Sequence, residues 1–278
     1  EEYGQDFLRH LRGMFALVVW DEHAGTMLLA RDRPGKKPLY YAQIGGNLVF
    51  ASEIKALLVY PGIDDSVDPQ AIHDYLSFGI VPGERTVYRG IRRLPAAHVL
   101  TVDGGTGETR LDRYWDAAYL PKHEIGFDEA VEEVDRILRE SVALRLRADV
   151  PVGSFLSGGI DSGIVTAIAA QVSDRPVRTY SIGVEDPAMD ERPLARLVSE
   201  RYGTDHTEFL LTHELGENLE RVVAHYDEPF ADASALPSFA VAGLASDHVR
   251  VVLNGDGGDE VFAGYRHFLA GRAADRVG

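Results

Sequence analysis

The sequence predicts an α/β protein in two parts, an antiparallel, β-rich part over residues 1–120 and a parallel-sheet part over residues 121–278. Three observations carry this. Short apolar runs joined by Gly- and Asp-rich turns fill the first part. Strand-like runs alternate with amphipathic helical stretches in the second. Two glycine-rich loops in the second part each follow directly on an apolar strand, where an α/β sheet places its ligand site.

In the first part, residues 14–20 and 26–30 flank Asp21-Glu22-His23-Ala24-Gly25, and residues 38–42 and 48–51 flank Ile44-Gly45-Gly46-Asn47, so two hairpins are expected. Ser52 is expected to cap a helix through Leu58. Asp68 and Pro69 open another that reaches about Phe78, since an acceptor side chain followed by proline suits a first helical turn. Residues 94–102 and 109–114 read as a further antiparallel pair turned by Asp103-Gly104-Gly105-Thr106-Gly107.

The texture changes near Tyr119-Leu120-Pro121-Lys122-His123, and the domain boundary is placed there. Val131, Val134, Ile137, Leu138, Val142 and Leu146 recur at three-to-four-residue spacing, which marks an amphipathic helix. Its charged residues, Glu132, Glu133, Arg136 and Arg139, read as a solvated face. A strand over 150–156 then leads through a turn to a small-residue helix over 163–170. Strands at 177–184, 207–211 and 249–253 alternate with helices at 190–202 (closed by Gly203), 214–225 and 236–247. Parallel strands joined by crossover helices follow from that order.

The turn after the first of these strands is Ser157-Gly158-Gly159-Ile160-Asp161-Ser162. Adjacent glycines let backbone N–H groups approach an anion, the next helix adds the positive end of its dipole, and Ser157 and Ser162 add hydroxyl donors. Asp161 suits the magnesium that accompanies a polyphosphate. A Walker A loop is excluded because Gly159 and Ile160 stand where its Lys and Ser/Thr belong, and a nucleophile elbow because Phe155 replaces its first glycine. The remaining pattern, S-G-G-x-D-S, resembles the PP-loop of ATP pyrophosphatases, which cleave ATP between its α and β phosphates. The second loop, Asn254-Gly255-Asp256-Gly257-Gly258-Asp259-Glu260, brings three carboxylates ahead of Val261 to the same expected sheet edge. Asp161 and Asp259 together suit one magnesium, and Asp256 suits proton handling or the positioning of an amine nucleophile.

Taken with Leu11-Arg12-Gly13-Met14-Phe15-Ala16, residues 30–41, residues 50–57 and Asp227-Glu228-Pro229-Phe230-Ala231-Asp232, these loops make the chain resemble glutamine-dependent asparagine synthetases over essentially its whole length. The resemblance implies part of an N-terminal-nucleophile amidotransferase domain at 1–120 and a PP-loop, adenine-nucleotide α-hydrolase-like domain at 121–278. It implies that aspartate and Mg-ATP give β-aspartyl-AMP and pyrophosphate, and that ammonia, drawn from glutamine in the intact protein, displaces AMP. It carries nucleotide contact to Phe155, Ser157, Gly158, Gly159, Asp161, Ser162, Ile182, Asn254 and Gly255, with adenine at Phe155 and Ile182. It carries magnesium to Asp161 and Asp259, and a catalytic carboxylate to Asp256, where some members have Glu. The acceptor pocket is expected near residues 186–191 and 227–232. The family's catalytic cysteine and later C-terminal helices find no counterpart, so an internal fragment is expected. A β-lactam-synthetase-like ring closure and a non-catalytic relative stay open beside the asparagine reading, and a homodimer stays open as the assembly.

The rest of the sequence mainly excludes. A chain of 278 residues with 45% hydrophobic and 26% charged residues suits an ordinary globular enzyme, and its formal charge of −16 argues against a nucleic-acid or anionic-membrane surface. With no cysteine, disulfides, thiolate metal sites and a cysteine nucleophile are excluded within the chain. No signal pattern or membrane-length apolar run is present, so the cytoplasm is expected. Ten histidines lack paired ligand spacing. Ser52-Glu53-Ile54-Lys55 reads as a capped helix rather than a catalytic S-x-x-K, and Arg31, Arg33, Lys36 and Lys37 as a solvated basic loop.

Overall fold

The computed structural model describes residues 2–211, 215–265, 267–268 and 270–271, with the backbone alone for 215–218. The chain forms two compact units: Glu1–Lys122 with Val223–Ala233, and His123–Val222 with Ser234–Gly278.

The first unit begins with a short helix α1 (Phe7–His10) and the strands β1 (Ala16–Asp21), β2 (Thr26–Arg31), β3 (Tyr40–Ile44) and β4 (Asn47–Ala51). Helices α2 (Ile54–Leu58) and α3 (Pro69–Phe78) follow, then β5 (Arg92–Arg93), β6 (His98–Asp103) and β7 (Thr109–Arg113). The order β1-β2-β6-β7 makes one antiparallel sheet and β4-β3-β5 another. Alternation along β2 buries successive residues on opposite faces: Leu29 joins Leu39, Leu94, Leu100 and Val102, while Ala30 joins Leu8 and Val99. Both expected hairpins form, with registers Ala16↔Arg31 and Tyr40↔Ala51. The strand expected over 94–102 is broken, because Pro95 and the left-handed Ala97 (φ 59) interrupt it between β5 and β6.

Asp68 caps α3 as expected, its side chain accepting from the Gln70 amide at 2.9 Å, and Gly79 closes it in the left-handed conformation. Ser52 does not cap α2. Its cap position is Glu53, and the Ile54 amide donates to Asp227 Oδ2 at 2.6 Å. Lys55 adds bonds to the carbonyl of His225 and an ion pair with Asp227 Oδ1 at 3.4 Å. The expected solvated basic loop holds for Lys36 and Lys37, which are exposed, but not for its arginines. The Arg31 guanidinium is spent on the carbonyls of Gly35, Lys37 and Leu94, and Arg33 donates to the Arg9 carbonyl.

The second unit contains α4 (Phe127–Arg145), β8 (Val152–Phe155), α5 (Ile160–Val172), β9 (Arg178–Gly183), α6 (Arg192–Tyr202), β10 (Asp205–Leu210), α7 (Leu215–His225), α8 (Ala235–Ala245), β11 (Val251–Leu253) and α9 (Gly258–Phe262). Glu214, the expected start of α7, lies outside the described residues, and the last turn of α7 counts with the first unit. All neighbouring strands pair parallel in the order β10-β9-β8-β11. Helices α4 and α5 cover one face through Val142, Ile168, Ala169, Val177 and Leu253. Helix α8 covers the other through Val241 and Ala245 against Tyr180 and Val249. Among the described residues no helix is long and apolar enough to cross a membrane.

Candidate nucleotide-binding site

Strand order fixes where this sheet can bind. From β8 the chain steps outward through β9 to β10, then returns to place β11 on the other side of β8. The reversal lies between β8 and β11, and open parallel sheets bind ligands in the crevice beyond the strand ends at such a switch point. Both glycine motifs sit there, Ser157-Gly158-Gly159 after β8 and the segment 254–257 after β11.

Two glycines bring the loops together. A Cβ on Gly255 would stand 2.7 Å from the Ser162 amide nitrogen and 2.9 Å from Asp161 Cβ, and a side chain on Gly258 would collide with the Asp161 carboxylate. The second loop therefore packs on the first turn of α5 at a distance only glycine allows. Gly257 takes a left-handed conformation (φ 95) to make the turn, and Gly258 N–H closes it on the Gly255 carbonyl at 3.2 Å.

Within the first loop, the Ser157 and Ser162 hydroxyls lie 2.8 Å apart. Ser157 Oγ accepts from the Gly159 amide at 3.1 Å, and Ser162 Oγ from the Ser157 amide at 3.2 Å. Ser162 is buried, Ser157 and Gly159 are exposed. Gly159 stands at the N-cap of α5 and contributes no capping side chain, so the helix presents uncapped first-turn amides and the positive end of its dipole beside the loop. Asp161 and Asp259 are both half-buried, and no ion pair among the described residues engages either. Asp256 is exposed and accepts from Asn254 Nδ2 at 2.6 Å. Phe155 and Ile182 are half-buried and pack on the α8 face with Tyr180 and Val241. The structure thus gathers Ser157 to Ser162 and Asn254 to Asp259 at one edge, and places Phe155 and Ile182 on one face of the adjoining strands.

Three further side chains support the loop, one of them from the stretch expected at the acceptor pocket and two that the sequence did not single out. Glu191, immediately before α6, accepts the Gly158 N–H at 3.2 Å. Ser181, buried on β9, donates its hydroxyl to the Leu156 carbonyl just ahead of the loop. His206 on β10 lies 2.9 Å from Thr179 Oγ1, so a polar network runs beneath the first loop. Burial holds the His206 imidazole below its ordinary pKa, with Glu208 pulling the other way. In the sequence Ser181 lies within an expected strand and His206 just ahead of one, and nothing in the linear order pairs them. In the acidic segment 227–232, Asp227 accepts from the Ile54 amide at the start of α2, and Glu228 pairs with Arg93 while accepting from the Val87 amide at 3.1 Å, all within the first unit. Burial raises the Glu228 carboxyl above the usual range, and Arg93 opposes that.

Comparison with known proteins adds descent to this geometry. The asparagine synthase family model matches residues 133–277 and the glutamine amidotransferase domain model residues 1–115. The chain is 35% identical, over 99% of its length and 54% of the relative's, to the second assigned glutamine-hydrolysing asparagine synthetase of Methanocaldococcus jannaschii. It is 35% identical to glutamine-hydrolysing asparagine synthetase 1 of Bacillus subtilis, over 95% of this chain and 41% of that one. It is 33% identical to an amidase of Penicillium rubens, over 97% of this chain and 42% of that one. The chain therefore spans about half the length of the curated relatives it matches.

Proposed function

This chain belongs to the asparagine synthase family, and we propose that its second unit binds ATP across the loops after β8 and β11 and uses it to adenylate aspartate for amide formation. The observation that carries the reading is the seating of Gly255 and Gly258 on Ser162 and Asp161 at the switch point, which joins an amide-rich turn to two unengaged carboxylates.

An aspartate side-chain oxygen attacks the α-phosphorus, forming the acyl phosphate bond of β-aspartyl-AMP as pyrophosphate leaves. Ammonia then attacks the acyl carbon, AMP departs with the bridging oxygen, and the nitrogen loses a proton to leave an amide. Both partners of the first step are anions, so the site must neutralise and align them. Ser157, Gly158, Gly159 and Ser162 receive the leaving pyrophosphate with N–H and hydroxyl donors. Asn254 and Gly255 border the nucleotide, and the backbone of Phe155 and Ile182 at the strand ends meets adenine. Asp256 positions the ammonia and accepts its proton, held in its turn by Asn254.

Magnesium fits the donor set: Asp161 and Asp259 offer hard oxygen ligands, and among the described residues no cluster of three or more His or carboxylate groups forms a protein-only cage. Bound with the polyphosphate, the ion supplies charge neutralisation. The first unit we assign to glutamine-derived ammonia supply on its match to the glutamine amidotransferase domain model, although none of these 278 residues is a cysteine nucleophile. Cytoplasmic residence and a homodimer belong to the same proposal.

ATP–pyrophosphate exchange tests the adenylation. Exchange that requires aspartate and disappears in Asp161→Ala supports the whole reading. The similarity to the Penicillium rubens amidase favours one second reading, the same adenylation of another carboxylate, ring closure included. Exchange with a different acid would select it, and absence of both exchange and ATP binding would leave a non-catalytic relative.

A further inference from the structure

The Gly158 amide, one of the donors assigned to pyrophosphate, already holds an anion from the protein itself. Glu191 Oε2 accepts its N–H at 3.2 Å. The neighbouring cations do not claim this carboxylate. Arg192 is bidentate to Asp190, with Nε–Oδ1 at 2.8 Å and Nη2–Oδ2 at 2.9 Å, and Arg196 grips Glu208, with Nε–Oε1 at 2.6 Å.

Glu191 is also held in place. Its carbonyl accepts the first bonds of α6, from Leu194 and Ala195 at 3.1 Å each. A Cβ on Gly158 would meet Leu194 Cβ at 3.0 Å and Glu191 Cβ at 3.2 Å, so the first turn of α6 is a wall of the loop. A phosphate oxygen and the Glu191 carboxylate cannot share one N–H, and at that separation they repel.

We propose that Glu191 is an internal competitor for the phosphate cradle: its carboxylate occupies the Gly158 amide in the empty site and must swing away when a polyphosphate binds. The inference rests on the nucleotide reading above and names what regulates that same site. The swing needs only side-chain rotation, because Glu191 is exposed while its backbone stays in the helix start. Its consequence is weaker nucleotide affinity than the loop alone would give, and faster release of pyrophosphate as the carboxylate returns.

The test is calorimetric titration of the full chain with Mg-ATP, Mg-pyrophosphate and adenosine, for wild type, Glu191→Gln and Glu191→Ala. Replacing a charge-assisted bond to Gly158 by a neutral one or none is expected to tighten ATP and pyrophosphate about fivefold while leaving adenosine unchanged. A purely structural Glu191 would weaken all three ligands, and a carboxylate that binds the metal or the acceptor's ammonium would leave phosphate affinity unchanged or lower it. Either result, with wild-type ATP binding intact, overturns the competitor role and spares the nucleotide reading. Wild type that binds neither ATP nor pyrophosphate would remove both.

Discussion

Asp32 in the first unit, within Arg31-Asp32-Arg33-Pro34-Gly35, and Asp161 in the second, within Gly159-Ile160-Asp161-Ser162-Gly163, are both aspartates close to glycine, yet their carboxylates have opposite fates. Asp32 is fully buried, and its oxygens accept the amides of Phe15 at 3.1 Å, Lys36 at 2.8 Å and Lys37 at 2.9 Å. Asp161 is half-buried with no cation paired to it among the described residues, facing a loop stripped of side chains at Gly255 and Gly258. A carboxylate saturated by backbone donors is finished structure, whereas one without partners beside a glycine-rich turn keeps its oxygens open for the metal-binding role proposed above.

The sharpest way to break this contrast is to remove each carboxylate. Asp32→Ala would remove the acceptor of three part-buried N–H groups from a fully buried position, and an unfolding free energy lower by about 3 kcal/mol is expected from penalties of that kind. Both tryptophans, Trp20 and Trp115, lie in the first unit, so urea unfolding followed by tryptophan fluorescence reads this directly. Asp161→Ala is expected to reverse the pattern. ATP–pyrophosphate exchange should fall about a hundredfold or more, while stability, followed by circular dichroism, should change by less than about 1 kcal/mol, the helix-dipole contribution of one N-terminal carboxylate. Equal stability losses in the two variants would erase the distinction.

A smaller effect sharpens how the second loop is seated. Gly255→Ala would drive a methyl into the Ser162 amide and Asp161 Cβ, and a loss of about 2 kcal/mol in stability is expected for such overpacking. Exchange should fall with it as the loops part. Gly243→Ala, inside α8 at a glycine with nothing within 4 Å, is the matched control; it should leave exchange unchanged and stability no lower.

The same contrast between local and distant partners explains what the sequence disclosed. Asp68-Pro69 was legible because cap and helix are neighbours in the chain, and the two hairpins because their turns are. The Ser52 cap was misread because the amide it would have served is taken by Asp227, 173 residues away. Arg31 looked solvated because its three carbonyl partners, two of them nearby, converge only in the folded loop. At the site, both motifs and their place at strand ends could be read from glycine spacing. Their contact depends on β11 returning beside β8, and strand order is a property of the whole sheet. Glu191 lay in a stretch assigned to the acceptor, and only the turn of α6 onto Gly158 shows which donor it holds.

The smallest predicted effect probes the network beneath the loop. Burial depresses the His206 pKa below its ordinary 6.5, so the folded state binds fewer protons than the unfolded chain near and below that value. Stability should therefore be full above pH 6.5 and decline as pH falls from there towards the folded-state pKa. Glu208 offsets part of the burial effect, which keeps the slope shallow, and its own carboxyl is held low mainly by the Arg196 guanidinium, so it stays charged through this window. Denaturant unfolding followed by circular dichroism at intervals from pH 7.5 down to about 5.5 measures the slope, above the range in which ordinary carboxylates titrate. In His206→Asn the level of stability should drop, because the bond to Thr179 is altered, but the part of the slope due to the imidazole should vanish. A variant with an unchanged slope would show that His206 titrates as freely in the folded chain as in the unfolded one, and that the floor under Leu156 and Ser157 is wetter than its burial implies.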